Sequence, residues 1–125
     1  MPYFGMKNIS NIRLYLGMKL RLDNKSVRIR LSKEEILNLQ NEGFVEEKLM
    51  FNENNYFSYV VEVLDDIETC EFYFNEDGLQ VGIPVDVSEK WINSNQVGIK
   101  ETFDTEDGEL ITLFVEEDLP PRKHK

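Results

Sequence analysis

The chain has very little of the residue types that most often carry chemistry. Among 125 residues there is one cysteine and one histidine. A single thiol, Cys70, can close no internal disulfide and anchor no zinc site. The single histidine, His124, stands next to the last residue in a charged tail, so a Ser-His-Asp or Cys-His nucleophile would depend on an ordered terminus. Long apolar runs are absent, which excludes a membrane-spanning helix. The opening MPYFGMKNIS lacks the basic-then-apolar order of a secretory signal. Together these absences make the cytoplasm the expected location. No residue set implies a cofactor or a metal.

What remains is enough for one core. Hydrophobic residues make up 41 %, with eight Phe, five Tyr and one Trp, and a chain of this length matches one domain. The net charge is −10, but it is unevenly spread. Residues 1–33 carry eight basic groups and one acid, while 34–121 carry three lysines and 23 acids. Such asymmetry can mark a site for an anionic partner, or place basic strands beside acidic ones.

No repeat is visible in the sequence, and glycine and proline stand as single punctuation marks. From Met18 to Leu31 apolar and polar residues alternate around Asp23-Asn24-Lys25. Period two on both sides of a polar turn predicts a β-hairpin with Leu20, Leu22, Val27, Ile29 and Leu31 buried. That pleat turns Lys19, Arg21, Arg28 and Arg30 to the opposite face. Ser32 with Glu35 three residues on is a capping box, and Gly43 suits a left-handed stop. The helix they bound is 33–42, with Ile36, Leu39 and Gln40 toward the sheet. Strand-like runs follow at 44–51, 55–63, 69–74 and 79–83, where Gly78 suits a positive φ. Asp86-Val-Ser-Glu89 looks like a second cap, opening a short helix near 87–93 that carries Trp91. A last hairpin, 97–103 with 110–115, turns at Thr105–Gly108.

The expected fold is α+β, mainly antiparallel β: about eight strands as a curved sheet, two layers or a barrel-like closure, with the two helices. Short turns between consecutive strands predict antiparallel pairing.

The segments MKLRLDNKSVRIRLSKEEI, FVEEKLMF and WINSNQVGI, with a closing hairpin that ends VEEDL, resemble a small uncharacterised bacterial family, a domain of unknown function. The resemblance runs from Met18 to about Leu119 and implies a shared fold without an activity. Members begin at the position of Met18, which makes 1–17 an expected N-terminal extension, 18–119 the domain and 120–125 a charged tail. The family often carries an aromatic and then a cysteine after the last strand, where this chain reads Leu119-Pro120-Pro121-Arg122.

The basic face is the one candidate site. Lys19, Arg21, Arg28 and Arg30 could bind an acidic protein or a phosphorylated small molecule, since guanidinium suits both. The structural alternative is pairing with Glu46, Glu47 or Glu62 on neighbouring strands. Aromatics for base stacking are missing from these strands, although Tyr15 is near, and the acidic remainder opposes nucleic acid. In a closed barrel the same row could line a polyphosphate tunnel, but the alternating Glu-x-Glu-x-Lys strand of tunnel-type triphosphatases is absent. The acid pairs fall in turns and at strand ends, and Asp104–Glu109 lacks calcium-loop spacing. Cys70 reads as a core thiol beside Phe72 and Phe74, and Trp91 as a lid on the core. The expected function is a non-catalytic binding or interaction protein; the alternative is an enzyme acting on a phosphorylated small molecule or polyphosphate through the same residues.

Overall fold

The computed structural model describes residues 17–119; the expected extension over 1–17, apart from Gly17, and the tail over 120–125, with Tyr15 and His124, lie outside them. The elements are β1 (Lys19–Leu22), β2 (Ser26–Leu31), α1 (Lys33–Glu42), β3 (Phe44–Asn52), β4 (Asn55–Leu64), β5 (Glu71–Asn75), β6 (Gly78–Pro84), α2 (Val85–Ile92), β7 (Gly98–Asp104) and β8 (Leu110–Glu117). They form two four-stranded sheets: sheet I in the order β1-β2-β8-β7 and sheet II in the order β3-β4-β6-β5. The sheets face one another and do not close into a barrel. Ile29, Leu31, Leu113 and Val115 from one meet Val61, Val81 and Ile83 from the other in a single core.

Every hairpin forms as its turn predicts, but the sheets are mixed. β2 runs parallel to β8, and β4 runs parallel to β6. Turn chemistry sees only neighbours in sequence. The joints between hairpins are made by strands far apart along the chain, so the expected all-antiparallel pairing is corrected at the centre of each sheet.

The registers also disclose an internal duplication. Val27 pairs with Leu22 on one side and Leu113 on the other. Leu79 pairs with Phe74 and Tyr59 in the same manner. Val45 opposite Val61 in β3–β4 is matched by Ile99 opposite Val115 in β7–β8. The chain is therefore two ββαββ units, and each gives one hairpin to each sheet. Val27, Ile29, Leu31 and Leu39 correspond to Leu79, Val81, Ile83 and Trp91, and all eight are buried. The duplication conserves which positions are apolar and not which residues fill them, so the sequence alone does not display it.

α1 begins as its capping box requires. Ser32 Oγ accepts from Glu35 N at 3.2 Å, and Glu35 Oε1 accepts from Ser32 N at 2.8 Å. It ends at Gly43, whose φ of 88° lies in the left-handed region and whose N–H donates to the Leu39 carbonyl. Leu39 and Glu35 are buried, whereas Gln40 is exposed, contrary to expectation. α2 starts earlier than its acidic residue suggests: Pro84 is the N-cap and no side chain caps it. Asp86 is the second residue of the helix, in its first turn, and accepts from Val87 N. Trp91 is buried and donates Nε1–H to the Val97 carbonyl at 3.0 Å, closing the core at that end.

Two apolar residues expected inside are outside. Leu22 is 57 % exposed and Phe74 is 69 % exposed. They are duplication counterparts, each at the tip of an edge strand, where the opposite sheet no longer covers the inner face. Cys70 is buried immediately before β5.

Candidate functional site

The outer face of sheet I assembles the four predicted cations. β1 and β2 are adjacent and antiparallel, so Lys19 lies directly opposite Arg30, and Arg21 opposite Arg28. Like charges opposite one another destabilise a sheet. The hairpin forms because its other face buries Val27, Ile29 and Leu31, each contributing about 1.5–3 kcal/mol.

The sheet partner of β2 completes the face. Phe114 and Glu116 on β8 stand beside Arg28 and Arg30. Arg28 Nη1 donates to Glu116 Oε2 at 2.6 Å, and Arg30 Nε to Glu116 Oε1 at 3.4 Å. The Arg28 guanidinium carbon also lies 4.0 Å above the centre of the Phe114 ring, with Lys100 Nζ 5.8 Å from it. Lys19 Nζ pairs with Asp118 Oδ2 at 2.9 Å. Arg21 has no hydrogen bond or ion pair among the described residues. Lys19, Leu20, Arg21, Arg28 and Arg30 line a surface hollow of about 410 Å³.

The expected structural partners are not those observed. Glu46 and Glu62 lie on sheet II, and Glu47 faces inward beside Tyr59. The carboxylates that reach the cations are Glu116 and Asp118. Sequence reasoning missed these two, with Phe114 and Lys100, because the β2–β8 joint is non-local. The available signal was the alternation in β8, which puts Thr112, Phe114 and Glu116 on one face against Leu113 and Val115 on the other. One carboxylate between two arginines leaves the face cationic. Such an arrangement can offer several guanidinium and ammonium donors to one anion, and Phe114 lies under Arg28 in cation–π contact.

A second hollow, of about 430 Å³, lies between α1 and β3, with Glu34, Glu35, Glu42 and Glu46 in its wall. Among the described residues no group of three His, Cys, Asp or Glu could hold a metal ion. Burial, with Glu101 nearby, pushes the Cys70 thiol up to about 11, the opposite of nucleophile activation. No helix among the described residues is long and apolar enough to cross a membrane.

Residues 18–121 match DUF7009, a family of unknown function. The chain belongs to that family. No curated protein matches it. The DUF7009 match includes all eight strands and both helices, so the basic face is built wholly within the family domain.

Proposed function

We propose that this DUF7009 protein is a non-catalytic binding protein of the cytoplasm whose contact surface is the outer face of sheet I. Lys19, Arg21, Arg28 and Arg30 carry the contact, and the partner is anionic: an acidic protein surface or a phosphorylated small molecule. The observation behind this reading is the pair Arg21 and Arg28, directly opposed on adjacent strands, with no counter-charge to Arg21 among the described residues. Holding two guanidinium groups together costs folding energy, and an anion bound between them would return it.

A thermal shift tests the reading. A ligand at 100 times its dissociation constant stabilises by about 2.7 kcal/mol, which raises the melting temperature of a domain this size by roughly 10 °C or more. Triphosphate, nucleotides and short acidic peptides at low salt are the probes. Arg21→Ala and Arg28→Ala should fold and lose the shift. No shift of the parent with any probe rejects the anion site. Release of inorganic phosphate from triphosphate in the same samples would instead favour the enzyme on a phosphorylated substrate.

A further inference from the structure

We infer that the basic face also docks on a second copy of this chain, against the outer face of sheet II, so that molecules associate head to tail. The inference rests on the binding role proposed for the sheet I face and names a partner for it. The duplication gives the two outer faces one lattice of positions with different chemistry on each. Where sheet I carries Lys19, Arg21 and Lys100, the equivalent positions of sheet II carry Glu71, Tyr73 and Glu46. Sheet II also holds Glu62 on that face, against a single cation, Lys48.

The sheet II face is more than acidic. Phe44, Met50, Tyr56 and Tyr73 point outward from it, 48 %, 53 %, 38 % and 53 % exposed. Exposed aromatic and Met side chains are enriched at interaction surfaces, and the acids among them suit a cationic partner. Guanidinium groups suit both parts of it, since they pair with carboxylates and stack on rings. The acidic face thus offers Arg21 the counter-charge that it has from no other described residue.

The two faces lie on opposite sides of the sandwich. A contact between them therefore leaves a free basic face at one end of the pair and a free acidic face at the other. Such an interface is heterologous and adds further copies. Each face is four strands wide and covers roughly 400 Å² in projection, against about 800 Å² per partner in standard stable complexes. The association is accordingly weak and concentration dependent. The charges in contact lie within a few ångström, whereas the net −10 is spread over the molecule. At ionic strength near 0.15 M the screening length of about 8 Å suppresses the second effect more than the first.

Sedimentation of the full chain at that ionic strength should show an average mass rising with concentration past the dimer. Arg21→Glu spoils the basic face alone, and Glu46→Lys the acidic face alone; each exposed variant should fold, as far-UV circular dichroism checks, and stay monomeric. Mixed one to one, they retain one good face each and should form a dimer that grows no further. A parent that stays monomeric at every concentration, or a mixture that does not pair, overturns the inference. Triphosphate separates the two proposals: a shift in a strictly monomeric parent keeps the anion site and removes self-docking.

Discussion

Glu35 shows how one carboxylate can serve the backbone and still be out of place. Its side chain accepts from Ser32 N and starts α1, yet it is buried. Burial raises its pKa above the ordinary 4.5, opposed by the Ser32 hydrogen bonds and assisted by Glu47 and Asp118. The native state then holds this proton more tightly than the unfolded chain. The resulting stabilisation is complete below about pH 4.5 and is lost as pH rises through the folded value. Glu35→Gln keeps the acceptor and removes the charge, so its stability relative to the parent should be higher at pH 7 than at pH 4 in urea unfolding. Glu35→Ala loses the acceptor and should cost about 1 kcal/mol. If the glutamine variant tracks the parent equally at both pH values, the burial of charge at Glu35 has no energetic consequence. Cys70 follows the same logic: with its thiol pushed to about 11, alkylation at pH 8 should be slow in the native protein and fast in urea.

At the scale of the element, α1 and the first hairpin were legible because their signals are local. Ser32→Ala should cost about 1 kcal/mol. Gly43→Ala should cost a similar amount through φ alone, since a Cβ there meets nothing within 4 Å. Gly78 is more severe: its φ is 145° and a Cβ would fall 1.7 Å from the Ser58 carbonyl oxygen, which breaks the β4–β6 joint. Alternation also placed Lys19, Arg21, Arg28 and Arg30 on one face correctly, because pleat period two depends on nothing distant. Their neighbours were not legible. A parallel joint has no turn to announce it, so Glu116, Phe114 and Asp118 could not be assigned from sequence to the same surface. Likewise the reach of the opposite sheet, which leaves Leu22 and Phe74 exposed, is not encoded in alternation. Glu116→Gln tests the face as a unit. It should destabilise by no more than about 1 kcal/mol, since the ion pairs are partly exposed, while enlarging the triphosphate-induced shift in melting temperature. A smaller shift than in the parent would mean that Glu116 positions the arginines more than it neutralises them.

At the scale of the whole molecule, the duplication decides how the chain must fold. Each ββαββ unit contributes one hairpin to sheet I and one to sheet II. Neither unit can build a four-stranded sheet, and an isolated two-stranded hairpin is marginal in water. One edge of β2 and one edge of β6 are paired only when β8 and β4 arrive from the other unit. The β2–β8 joint brings the two ends of the domain together, so most of the entropy of ordering is lost before that joint forms. Folding is therefore one cooperative transition and not two. Division of the chain in the exposed stretch at Asp65-Asp66, between β4 and β5, should give two peptides that are each unfolded by circular dichroism. Mixed at equal concentration, they should recover the sheet signal and the burial of Trp91, seen as a blue shift of its fluorescence, because all the inter-strand contacts are restored without a covalent link. The affinity is reduced by the cost of bringing two chains together, so the recovery should depend on concentration. A stable fold in either peptide alone would show that a unit satisfies its own core, and the interdependence of the halves would fall with it.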